Sequence, residues 1–219
     1  MLTYKEVKND ASIKAYIKRA DESLLAQGYT EHSFAHVTKV TEGVRYILTT
    51  LGFSEREIEV ACIAAYMHDI GNLVNRVDHS QSGALIAFRI LDKMGMEAEE
   101  LATVVTAIGN HDEGTGVPVN PIAAALILAD KSDVRRSRVR NNDIATFDIH
   151  DRVNFSASDT KLRIDDEKTK IVLNITIDTK YSSVMEYFEI FLDRMILCRK
   201  AAEKLGLKFK LVINNQEVM

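Results

Sequence analysis

The chain has 219 residues, 46% of them hydrophobic and 27% charged, which is the make-up of an ordinary globular protein with enough length to bury a sizeable core. Its net charge of −4 gives no global attraction to nucleic acid or anionic lipid, so any anion binding has to come from a local patch. No apolar run approaches transmembrane length, the N-terminus lacks the apolar centre of a signal peptide, and Cys62 and Cys198 sit far apart in apolar helical contexts as reduced core thiols; the expected location is the cytoplasm.

Residues 3–27 carry weak helical patterning that stops at Gly28. Thr30 or Ser33 caps the next helix, on which Val37, Val40, Val44, Ile47 and Leu48 form one apolar stripe before Gly52 ends it. Ser54 and Glu57 then stand in capping-box order. The helix they open, SEREIEVACIAAYMH, is apolar nearly all round and should be central and buried. GNLVNRVD reads as a loop, followed by helices over about His79 to Lys93 and about Glu97 to Asn110. GNHDEGTGVPVNP is a glycine-rich loop, and Pro121 opens the helix PIAAALILAD at its first turn. After about residue 140 the period becomes two. Leu162 and Ile164, then Ile171, Leu173, Ile175 and Ile177, alternate with polar residues around a hairpin turn at Asp165–Lys168. A long helix over about 182–205 ends at Gly206, and LKFKLVI reads as a last strand. The expected fold is mainly α: an all-helical domain over residues 1–150, then a small ββαβ appendage over residues 151–219.

Chemistry-bearing side chains recur at the ends and inner faces of these apolar helices. His36 begins a stripe, and His68, with Asp69 beside it, ends the most buried helix. His79 begins a helix with Gly83 one turn later, His111 follows the inner face Leu101, Val104, Val105 and Ile108, and Asp130 ends AAALILA. An unpaired carboxylate in such a place costs several kcal/mol, and a metal ion, which also takes neutral imidazoles as ligands, is the strongest compensation. A lone buried histidine is usually a hydrogen-bonded core residue, and His32 and His150 are read that way or as surface residues. Convergence of so many positions argues for metal instead. Imidazole and carboxylate without thiolate suit iron, manganese, cobalt, nickel, zinc or magnesium over a structural zinc site. An aspartate next to a histidine can bridge two cations while the histidine binds one.

The order His36, His68-Asp69, Asp130, carried by HVTKV, AAYMHDIGN and LILADKSD, resembles the HD superfamily of metal-dependent phosphohydrolases over about residues 30–140. HSQSGALIA (79–87) resembles a segment of the binuclear members. NHDEGTGVP (110–118) resembles the later histidine region of HD-GYP cyclic-dinucleotide phosphodiesterases and of HD-type symmetrical diadenosine tetraphosphatases. The resemblance implies His36, His68, Asp69 and Asp130 as ligands of one metal, Asp69 as a bridge, and His79 and His111 as ligands of a second. Asn72 stands where HD-GYP proteins have lysine, and Gly116-Val117-Pro118 replaces their Gly-Tyr-Pro, so cyclic di-GMP is not implied as substrate.

The expected activity is therefore hydrolysis of a phosphoester or phosphoanhydride, by resemblance that of a nucleotide, with a water activated by two divalent metal ions per chain. Asp69 and Lys131 are the candidate catalytic residues. Arg135, Arg136, Arg138, Arg140 and Asn72 are candidate substrate contacts, because guanidinium groups grip phosphate oxygens as a fork. Asp133 could orient a ligand one turn after Asp130, and Asn110 and Asp112 flank His111. The expected partner is a small phosphorylated molecule, with no membrane and no strong nucleic-acid signal. Residues 151–219 carry no motif and suit a cover over the helical domain, a homodimer contact or a ligand site. Two other classes share these residues: a nucleotide-binding sensor without turnover, and a diiron oxygenase.

Overall fold

In the computed structural model, which describes residues 1–219, the N-terminal segment makes two helices where the patterning suggested one. Thr3 and Glu6 close a capping box on α1 (Tyr4–Asn9). Asp10 then leaves the helix for extended backbone, and its carboxylate accepts from Ile13 N to start α2 (Ala11–Ala26). Ser33 caps α3 (Phe34–Leu51). Ser54 and Glu57 make the expected capping box on α4 (Glu55–Met67), whose residues Val60 to Met67 are all buried. A 3-10 turn, Ile70–Leu73, leads toward α5 (His79–Lys93), and α6 (Ala98–Gly109) and α7 (Pro121–Lys131) complete the helical part, with Pro121 at the first turn of α7.

Ile122 to Ala129 of α7 are buried on every side, because α3, α4 and α6 pack around it together with α9 (Val184–Lys204). A Cβ on Gly43 would lie 2.9 Å from the Cβ of Ala129, so glycine there sets how closely α3 meets α7, and with it His36 and Asp130.

The C-terminal part is richer than ββαβ. A short helix, α8 (Ile149–Ser156), precedes β1 (Ala157–Ile164) and β2 (Lys170–Ile177); α9 follows, then β3 (Lys208–Ile213) and a two-residue β4 (Gln216–Glu217). The sheet order is β1-β2-β3-β4, with β2 and β3 parallel across the α9 crossover and the other pairs antiparallel. Ile171, Leu173, Ile175 and Ile177 turn inward at period two, while Tyr187, Phe191, Met195, Cys198 and Ala202 recur every three or four residues along α9. Short α8 escapes the patterning because its text, IHDRVNFS, is mostly polar; Asp148 caps it by accepting from Asp151 N. One apolar core runs from Leu2 to Ile213 without a break. Both thiols lie in it, and burial pushes Cys62 up to about 11 and Cys198 up to about 12. No helix is long and apolar enough to cross a membrane.

Candidate metal centre

The helix ends converge. α3 delivers His36 from its first turn, α4 ends at His68 with Asp69 next to it, α5 begins at His79, the end of α6 presents His111, and the last turn of α7 presents Asp130. The four imidazoles are fully buried or nearly so. Each spends its Nδ1–H outward. His36 donates to Asp133 Oδ2 at 2.8 Å, His68 to the Ala65 carbonyl at 2.8 Å, His79 to the Arg76 carbonyl at 3.1 Å and His111 to the Ile108 carbonyl at 2.6 Å. That leaves four Nε2 lone pairs facing one another.

Two groups form. In the first, His36 Nε2 lies 3.3 Å from His68 Nε2, 3.3 Å from Asp130 Oδ1 and 3.5 Å from Asp69 Oδ2. His68 Nε2 lies 3.3 Å from Asp69 Oδ2 and 3.6 Å from Asp130 Oδ1. In the second, His79 Nε2 lies 3.2 Å from His111 Nε2, and these stand 3.4 Å and 3.9 Å from Asp69 Oδ1. Asp112 Oδ1 is 3.9 Å from His79 Nε2. Two ligands each about 2.1 Å from one ion stand about 3.0 to 3.4 Å apart at octahedral and tetrahedral angles. Most of these spacings are close to that range, and Asp69 offers a different oxygen to each group.

The donor set fits a divalent cation. Lone pairs of two neutral imidazoles at such distances repel unless positive charge stands between them. Without an ion a proton supplies part of it: burial opposes charging His68, but Asp69 and Asp130 prevail and hold it up at about 10. Burial likewise opposes ionising Asp69 and Asp130. The facing imidazoles, and Lys131 in the case of Asp130, nevertheless keep both well below the usual carboxylate range. His111 is held well below its ordinary value by burial and by neighbouring positive charge, as suits a neutral ligand.

A second layer fixes the first. Burial disfavours the charged form of Asp133, yet the hydrogen bond from His36 and the nearby Arg138 keep it ionised. Lys39, Arg135 and Arg138 surround it. Asp133→Asn removes that charge from behind His36. It is expected to weaken metal affinity about 10- to 100-fold in a metal titration, whereas unchanged affinity would reduce Asp133 to an anchor for the following segment. Asn72 is buried and donates from Nδ2 to the Asp69 carbonyl at 2.9 Å and to Asp69 Oδ1 at 3.0 Å. It orients Asp69 and does not line the adjoining cavity.

That cavity has a volume of about 360 Å³, with Asp69, His79, His111, Asp130 and Lys131 in its floor. Of its 18 lining residues only Tyr29 and Phe191 are hydrophobic, so it suits a polar occupant. Four cations face it: Arg76, Lys131, Arg138 and Arg194. Lys131 Nζ lies 2.9 Å from Asp130 Oδ2 and 2.6 Å from Glu113 Oε2; these carboxylates outweigh burial and keep it protonated.

Of the four arginines picked out after Asp130, the structure brings only Arg138 to the cavity. Arg135 is spent on Asp133 at 2.9 Å and Glu31 at 2.7 Å, and Arg140 pairs with Asp21. Arg136 lies over the Phe155 ring at 4.5 Å and donates to the Phe155 carbonyl at 2.6 Å. The segment breaks into extended backbone and a 3-10 turn after α7 instead of continuing it, which sends three of the four side chains away from the site. Asn110 is spent on the Thr106 carbonyl.

Sequence reasoning missed Arg76 and Arg194, Asp148 at the cap of α8 and His150, Asp151 and Asn154 on it, all of which line the cavity, and Glu113, which pairs with Lys131 and Arg194. Glu113 had a signal, since it adjoins His111 in the glycine-rich loop. Arg194 had none, being one charge among many on a long amphipathic helix. His32 also lines the cavity, with its ring centroid 5.5 Å from that of His36.

Residues 33–140 match the HD domain family model. An uncharacterized protein of Methanocaldococcus jannaschii is 25% identical to this chain, over 76% of this chain and 73% of that one. A solved structure described as a predicted HD superfamily hydrolase from an uncultured Thermotogales bacterium is 25% identical, with a TM-score of 0.45, over 57% of this chain and 67% of that one. The span of this chain that resembles the HD domain family model holds His36, His68, Asp69, His79, His111 and Asp130 together.

Proposed function

We propose that the protein is a metal-dependent phosphohydrolase that cleaves a phosphoester or phosphoanhydride bond of a small molecule, a nucleotide by class. The observation that carries this reading is Asp69: one of its oxygens faces the buried His36 and His68, the other faces His79 and His111, and Asp69, His79 and His111 open onto a cation-lined cavity. In this reading His36, His68, Asp69 and Asp130 would hold one divalent metal, and His79 and His111, with the other oxygen of Asp69, would hold a second. A metal pair so held supplies Lewis acidity, both to a water that attacks phosphorus and to the oxygens on which charge develops.

The chain's own residues do the rest. Lys131, fixed by Asp130 and Glu113, keeps its charge on the cavity floor where negative charge grows in the transition state. Arg138 brings a second buried cation, anchored by donation to the carbonyls of Glu31 and Asp133. Asp148, Asp151 and Asn154 present acceptors and donors to hydroxyl and base edges at the far wall. On this view residues 151–219 are a small α+β unit that walls the site of the helical domain, residues 1–150.

The test is phosphate release from a panel of nucleoside mono-, di- and triphosphates and sugar phosphates, with chelated protein and after metal is restored. Release that requires metal supports the proposal; binding of nucleotides without release would point to a sensor. Metal counting separates one ion from two. His79→Ala and His111→Ala should each lower the content from about two per chain toward one while His36 and His68 keep theirs. Two ions retained in both variants would leave these histidines as core residues.

A further inference from the structure

Arg194 is a cavity cation held at one end only. It projects from α9, in the C-terminal part, toward a site whose metal-ligating side chains all come from the helical part. Its Nε donates to Glu113 Oε1 at 2.7 Å, and its guanidinium lies 4.4 Å from the centre of the Phe191 ring, which is itself buried. Those two contacts fix the plane of the group. No protein acceptor engages Nη1 or Nη2, and the side chain is 23% exposed at the cavity wall. By contrast Arg138 spends Nε and Nη1 on carbonyls.

Its position relative to the centre follows from an ion-pair chain. Asp130 Oδ2 meets Lys131 Nζ at 2.9 Å, Lys131 meets Glu113 Oε2 at 2.6 Å, and Glu113 Oε1 meets Arg194. Arg194 is thus one lysine and one carboxylate removed from the floor. It reaches the shared cavity through that chain and touches none of the histidines, a placement suited to the group attached to a phosphoryl seated among them. Glu113 keeps its charge although burial opposes it, because Lys131 and Arg194 flank it, so the arginine is held without being fully neutralised. An orienting carboxylate on Nε, an aromatic platform and a free Nη pair make a preorganised fork for an oxyanion.

We propose that Arg194 binds a second anionic group of the substrate, next to the phosphoryl group that reacts, and that the preferred substrates are therefore diphosphate-type compounds over simple monoesters. This rests on the reading of the centre as a phosphohydrolase site, and it makes the C-terminal helix part of the specificity of that site.

The probes are inorganic phosphate and inorganic pyrophosphate, titrated calorimetrically into metal-loaded protein under conditions in which turnover is blocked by chilling and short mixing. The wild type should bind pyrophosphate at least about tenfold more tightly than phosphate, one further charged fork being worth about that factor. Arg194→Gln should lose that preference by lowering pyrophosphate affinity about tenfold, while phosphate affinity changes less than about threefold and metal content stays the same. Arg194→Lys should fall between, since charge is kept and the fork is lost. Glu113 keeps Lys131 as partner in both variants, and thermal unfolding checks that they fold. Equal losses for the two anions would place Arg194 at the reacting phosphoryl and overturn the proposal, as would unchanged binding of both. A wild type that binds neither anion would overturn the phosphohydrolase reading along with it.

Discussion

Asp69→Ala is expected to abolish hydrolysis, by at least about a thousandfold, and to strip both metal ions while the helical fold remains. No other side chain offers an oxygen to each histidine group, so its loss breaks both ligand sets at once. The fold should survive because this carboxylate caps no helix, and its contacts are the imidazoles, Asn72 and the more distant Arg76. Elemental analysis, phosphate release and circular dichroism on one preparation read all three effects. A variant that keeps two metals and activity would show that Asp69 is a buried, hydrogen-bonded acid and no more.

Gly71→Ala should be as damaging by another route. A Cβ at this position would lie 1.9 Å from the His79 carbonyl oxygen and 2.5 Å from the Gly83 amide nitrogen, both backbone atoms that no rotamer change can move aside. The 3-10 turn Ile70–Leu73 and the first turn of α5 must separate, and with them Asp69 and His79, which now stand 3.4 Å apart. The expected result is a loss of about 2–4 kcal/mol in chemical denaturation, together with loss of the ion on the His79–His111 side. Wild-type stability would mean that the turn and α5 slide apart freely and that their close packing does not position the centre.

What was legible in the sequence, and what was not, follows from the range of each signal. Helix starts are local: Ser54 with Glu57, and Pro121, announce themselves within a few residues, and α4 and α7 begin as expected. His68, Asp69 and Asp130 stood out because polar groups directly follow apolar runs, and the structure shows them buried or nearly so and close together. Asp10 was overlooked because an aspartate inside a weak helical pattern looks like a surface residue until its side chain is seen to cap α2. The arginines after Asp130 were weighed by nearness in sequence. Their partners Glu31, Asp21 and Phe155 lie on other segments, and those pairings decided where they point. Arg194 is the converse case, 64 positions after Asp130 in sequence yet brought to the same cavity by the packing of α9 on α7. Tertiary contacts of this kind leave no periodicity to read.

The central claim is that Asp69 joins two metal ions, and anomalous X-ray diffraction from crystals grown with manganese tests it most directly. The account predicts two peaks about 3.5–4 Å apart, one on each side of the Asp69 carboxylate, the first within ligand distance of His36, His68 and Asp130 and the second of His79 and His111. A single peak, or manganese bound away from these side chains, would contradict it.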